Sequence, residues 1–77
     1  MVMTEPTPDI AALGRAVRAI REEHGINQVQ LAAKTGFTQS WISHVERGNR
    51  NPSWSNIVRL AAGLGVSVAA LAARSES

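Results

Sequence analysis

The sequence predicts an all-α domain built from five short helices. Apolar residues recur at intervals of three and four along most of the chain, and nothing reads as a strand. Glycines at 25, 36, 48 and 65 each stand just past such a periodic run, where a helix can end in a left-handed residue. Asn27, Thr38 and Ser67 precede runs and carry side chains suited to helix capping. No internal repeat is evident.

Residues 1–8 hold two prolines and no periodicity, and are expected to form a flexible N-terminal tail. The folded domain is expected over 9–73, with 74–77 as a C-terminal tail. The first helix is predicted at about 9–24, where Ile10, Leu13, Val17 and Ile20 make one apolar stripe and Gly25 ends the run. Asn27 and Gln30 have the spacing of a capping box, so the second helix is predicted over Gln28 to Thr35, burying Leu31 and Ala32 and stopping at Gly36. Thr38 opens a third helix that runs to about Arg47 and stops at Gly48. The stretch NRNPS reads as a loop. Proline suits a first helical turn, so Asn51-Pro52 is expected to open the fourth helix, with Trp54, Ile57, Leu60, Ala61 and Leu64 on one face. Gly65 closes it, and Ser67 caps a last helix that turns Val68, Leu71 and Ala72 inward.

A chain of 77 residues is one domain at most, and a core this small is often marginal without a staple or a second subunit. The chain has no cysteine, which excludes disulfides and thiolate metal sites. The start MVMTEPTP lacks the basic and apolar regions of a secretory segment, and the longest apolar stretch, 60–73, is too short for a bilayer. The protein is therefore expected in the cytoplasm, away from the membrane. Its net charge is +2, unevenly spread. In residues 1–25, Arg15, Arg18 and Arg21 face Glu5, Asp9, Glu22 and Glu23. In residues 26–59, Lys34, Arg47, Arg50 and Arg59 face Glu46 alone, so the positive excess lies in the middle third, which is compatible with an anionic partner such as nucleic acid and equally with a solvated basic face.

The segment TQSWISHVERG, 38–48, lies in that third and mixes bulky apolar residues with polar ones. Stepped at about 100° per residue, Gln39, Ser43, Arg47, Ser40 and His44 occupy one arc. Ile42 and Val45 occupy the other, bordered by Trp41 and Glu46. The polar arc is rich in groups that both donate and accept hydrogen bonds, the chemistry needed to read base edges in a major groove that fits an α-helix. A solvated helix face is the plain alternative, and the spacing before the segment decides between them. Counting from Gln28, small Ala32 is fifth, where two helices cross. Gly36 is ninth, where a tight turn needs positive φ. Phe37, Ile42 and Val45 follow at ten, fifteen and eighteen, where they lock one helix on the other. This is a helix-turn-helix pattern over about 28–47.

The stretch QVQLAAKTGFTQSWISHVERGNRNPSWSNIVRLAAGLGVS resembles the phage repressor and Cro type (XRE-like) of helix-turn-helix domain, and the likeness extends back through AIREEHGIN to cover about 10–72. It implies a five-helix repressor-like fold that binds double-stranded DNA as a transcriptional regulator, with helix 38–47 in the major groove. Thr35 departs from the family, which often has an apolar residue there, and is expected to loosen packing slightly. Thr38, Gln39, Ser40 and His44 match base-contacting positions, and Ser43 lies on the same arc. Gln28 matches a position that holds the DNA backbone and steadies the first reading glutamine, and Asn27 adds to it. Arg47, Asn49, Arg50 and Asn51 suit phosphate contact, which gives affinity and register. Trp41, at a position often aromatic in relatives, covers the core and can reach a phosphate through its indole N–H. Arg21 and Glu46 match an internal ion pair. Lys34 and Arg59 are expected to be solvated. A lone domain of this kind gains affinity by pairing on a two-fold operator, with half-sites about 34 Å apart. Leu64, Val66, Val68 and Leu71 are the expected homodimer surface, and Trp54 is expected in the core or at a subunit contact. Repression, needing only occlusion of a promoter, is favoured over activation.

Two other classes of function compete. Catalysis would have to use Ser40 and His44 beside Glu46, all on one short helix with no glycine-framed oxyanion site, so no enzyme is expected. Two histidines without cysteine make no metal site, and no cofactor is implied. The alternative is a protein-interaction adaptor or an antitoxin-like module with a protein partner. An adaptor tolerates acids on the outward arc, and the arc from Gln39 to His44 has none.

Overall fold

The structure, a computed structural model, describes residues 9–76; the expected tail at 1–8 and Ser77 lie outside the described residues. Five helices follow one another: α1 (Ile10–Glu23), α2 (Gln28–Thr35), α3 (Gln39–Glu46), α4 (Trp54–Leu64) and α5 (Val68–Glu76). All regular structure among the described residues is helical.

Each helix starts where a side chain can satisfy an orphan backbone donor. Asp9 accepts from the Ala12 amide at 2.6 Å, Thr38 from Trp41 at 3.1 Å, Ser53 from Asn56 at 3.3 Å and Ser67 from Ala70 at 3.0 Å. Asn27 and Gln30 form the reciprocal capping box, both bonds at 2.8 Å. Between α2 and α3 the chain turns at Gly36, whose φ of +80° favours glycine.

The core draws on all five helices: Ala16, Val17 and Ile20 from α1, Leu31 and Ala32 from α2, Ile42 and Val45 from α3, Leu60, Ala61 and Leu64 from α4, and Leu71 from α5. Each large side chain in it contributes about 1.5–3 kcal/mol by leaving water. α1 packs on α3, α4 and α5, while α2 packs on α3 and α4. Gly14 lets α1 lie against the end of α3: a Cβ there would stand 2.9 Å from the Glu46 carbonyl oxygen and closer still to that of Val45. The base of α3 is therefore set by backbone-to-backbone contact.

The structure corrects several expectations. Pro52 does not open α4; it is buried in the preceding loop, and Ser53 caps the helix instead. Serine at that place accepts the Asn56 N–H, which no proline can do. Trp54 is not core but 68% exposed, while Leu60, Ala61 and Leu64 further along α4 are buried. Ala72 faces outward, since α5 buries Leu71 and Ser75. Residues 74–76 are not a tail: α5 continues to Glu76, the Arg74 guanidinium grips the Glu23 carboxylate at 2.7 and 2.9 Å, and the Ser75 hydroxyl donates to the Ala72 carbonyl at 2.7 Å. The two Arg74 bonds tie the end of α5 to α1, and the Ser75 bond stays within α5. Leu64 and Leu71 are 1% and 0% exposed, so the core consumes two of the four residues expected at a dimer surface; Val66 and Val68 are half-buried against the same core. Thr35 does not loosen packing. Its hydroxyl donates to the Leu31 carbonyl at 2.9 Å, and its methyl fills the space left by Gly63 of α4.

Candidate nucleic-acid interface

α3 divides as its residue spacing demands. Ile42 and Val45 are fully buried, Gln39 and Ser40 are exposed, and Ser43 and His44 are half-buried. The Thr38 hydroxyl oxygen accepts the Trp41 amide in the cap, and the residue is exposed at the start of the helix. Arg47, at the C-cap, donates from a guanidinium nitrogen toward His44 Nδ1 at 3.2 Å. A guanidinium only donates, so Nδ1 accepts and a neutral His44 ring carries its proton on Nε2. Trp41 is half-buried, with its ring centroid 4.1 Å from that of Phe37 at an interplanar angle of 31°. Packing thus accounts for its ring.

A chain of polar bonds runs from this surface into the interior. Gln39 Nε2 donates to Gln28 Oε1 at 2.8 Å, and Gln28 Nε2 donates to Glu46 Oε1 at 3.0 Å. Glu46 in turn accepts two bonds from Arg21, Nε to Oε2 at 2.6 Å and a terminal nitrogen to Oε1 at 2.9 Å. The pair's side chains are 10% and 4% exposed, and Arg21 also donates to the Ile26 carbonyl at 3.0 Å. The hydrogen bond to Glu46 raises the Arg21 guanidinium above its ordinary range. The expected ion pair of Arg21 and Glu46 is therefore present, and it forms the floor under both glutamines.

The residues expected at phosphates are dispersed around this helix. Asn27 and Gln28 stand at the N-terminus of α2, where free amides and the helix dipole favour an anion. Both spend side-chain bonds inside the protein, Asn27 on its cap and Gln28 on Gln39 and Glu46. Asn49, Arg50 and Asn51 are exposed in the loop after α3, whose path is fixed by the Asn49 amide bonding the His44 carbonyl at 2.9 Å. Arg59 was not expected to have a partner, yet it donates twice to the Thr35 carbonyl, at 2.6 and 3.2 Å, and covers the Phe37 ring at 4.2 Å. It braces the turn that aims α3. No short-range pattern links positions 24 residues apart, so nothing in the sequence could mark it.

A capped α2, a left-handed turn at Gly36 and an α3 with one buried and one polar face define a helix-turn-helix domain. A family model described as a helix-turn-helix domain matches residues 12–73, and the chain belongs to that family, within its phage-repressor branch. It is 39% identical over 59 residues to the immunity repressor protein of Bacillus phage phi105, covering 77% of this chain and 41% of the repressor. It is 40% identical over 55 residues to the HTH-type transcriptional regulator y4dJ of Sinorhizobium fredii, covering 71% of each. Among solved structures, the restriction-modification controller protein C.AhdI of Aeromonas hydrophila superposes with a TM-score of 0.78 at 35% identity, over 80% of this chain and 94% of that one. The chain thus spans about two fifths of the phage repressor, and most of the other two proteins.

Proposed function

We propose that this chain is a sequence-specific transcriptional regulator that binds double-stranded DNA as a homodimer and represses by occluding a promoter. In this reading α3 lies in the major groove, with Thr38, Gln39, Ser40, Ser43 and His44 toward the bases. Asn27, Gln28, Trp41, Arg47, Asn49, Arg50 and Asn51 face the phosphates. The observation that carries it is the outward face of α3: amide, hydroxyl, imidazole and guanidinium groups with no acid among them, on a helix whose other face is locked in the core. The relatives named as a repressor, a transcriptional regulator and a controller protein support the same reading. Among the described residues, no single helix is long and apolar enough to cross a membrane.

Selection of bound duplexes from a randomised pool tests it. The protein should enrich one sequence with two-fold symmetry. Gln39→Ala should relax the choice at one base position per half-site while leaving affinity for unrelated DNA within about twofold, since base contacts rather than phosphate contacts specify. A pool recovered without any common sequence refutes the reading.

A further inference from the structure

We propose that Arg59, on α4, is a phosphate-binding residue that holds the DNA backbone beside the start of α3. The inference rests on the DNA-binding reading above, and adds to it a contact from a helix outside the helix-turn-helix pair.

The Arg59 guanidinium is fixed in place and orientation. Nε and one terminal nitrogen, Nη2, both donate to the Thr35 carbonyl, at 3.2 and 2.6 Å, and its central carbon lies 4.2 Å from the centroid of the Phe37 ring. Gly36 leaves room for it, since a Cβ there would stand 2.8 Å from Nη2. Thr35, Gly36 and Phe37 lead directly into the Thr38 cap, so the charge is held beside the start of α3. The other terminal nitrogen, Nη1, makes no hydrogen bond among the described residues, and Arg59 is exposed.

Arg18, Arg21 and Arg74 each pair with a glutamate, whereas Arg59 has no acidic partner among the described residues. Its charge is therefore uncompensated, its rotamers are already set, and N–H groups are left over. That is the chemistry of a phosphate site: the planar fork suits phosphate oxygens, and little side-chain entropy remains to be lost on binding. Its place suits DNA. Arg47 and Arg50 stand at and beyond the end of α3, and Arg59 stands at its beginning. Eight residues of helix measure about 12 Å, close to the width of a major groove, so cations at both ends suit the phosphates of its two walls.

Wild type, Arg59→Gln and Arg15→Met are titrated on the selected operator and on an unrelated duplex, from about 50 to about 200 mM salt. Glutamine removes the charge but keeps an N–H for the Thr35 carbonyl. Arg15→Met removes an equal charge from α1, where Arg15 lines a cavity with Arg74 and Ser75 of α5. Arg59→Gln is expected to make the slope of log affinity against log salt shallower by about 0.9, so that the advantage of the wild type shrinks about threefold across that range. The loss should be equal on both duplexes, because phosphates carry no sequence. Arg15→Met should keep the wild-type slope. An unchanged slope in Arg59→Gln is the mark of a brace alone and overturns the inference, as does an equal change of slope in Arg15→Met; either result leaves DNA recognition standing. Should Arg59→Gln not fold, Arg59→Met, whose stem can still cover the Phe37 ring, replaces it. If the wild type binds neither duplex at low salt, the DNA-binding reading itself fails, and the inference with it.

Discussion

Arg21 and Glu46 make the clearest case at the scale of single residues. Replacing Arg21 with methionine would leave the Glu46 carboxylate buried with only Gln28 as partner, and breaking a buried pair on one side commonly costs about 3–5 kcal/mol. Urea unfolding of Arg21→Met should therefore show a midpoint far below that of the wild type, and an unchanged midpoint would mean that the pair adds nothing. The identity of this pair was legible in the sequence through family resemblance, because Glu46 borders the buried arc of α3. Its bond to Gln28 was not, since which rotamers meet across three helices depends on packing that no local spacing encodes. The same holds for Arg59, whose guanidinium closes on the Thr35 carbonyl from another helix.

At the scale of elements, helix starts and stops were legible where a cap or a glycine marks them. Asn27, Thr38 and Ser67 cap as their chemistry suggests, and α2 spans Gln28–Thr35 as expected. The misplaced boundaries lie where two local rules compete. Pro52 and Ser53 both suit a helix start, and serine prevails because it accepts a backbone N–H, while the proline ring is buried. α5 outruns its apolar stripe because Arg74 finds Glu23 on α1, a contact 51 residues away in sequence. That contact predicts a pH response. The hydrogen bond from Arg74 holds the Glu23 carboxyl below its ordinary value of 4.5, so its contribution is fully present above that value and is lost as the pH falls through the folded value. Melting temperature followed from about pH 6 to pH 3 should decline slightly less steeply in Glu23→Gln than in the wild type, the difference being small because the pair is exposed. Parallel curves would show that the Glu23–Arg74 pair adds nothing measurable to the hold on α5.

The whole molecule was predicted most securely. One small all-α domain follows from the recurrence of apolar residues, and all the core side chains belong to stripes or to motif positions visible beforehand, Ala16 excepted. The subunit surface was the least legible part, because the residues that could pair two copies are drawn from the same apolar supply that fills the core. Leu64 and Leu71 went to the core. Pairing, as proposed, has to use other side chains, and sedimentation equilibrium should return twice the 8.2 kDa of the chain. A monomer at all concentrations and on DNA would leave the two-fold arrangement without support.

The unequal anchoring of the α3 surface has a consequence for how such a protein diversifies. Ser40 and Ser43 make no side-chain bonds to the rest of the described residues, so a lineage can exchange them singly and drift toward new targets without repair elsewhere. Gln39 is tethered to Gln28 and cannot change alone at no cost. If Gln39 reads a base as proposed, its preference should alter through paired substitutions, leaving covariation between positions 28 and 39 as the trace.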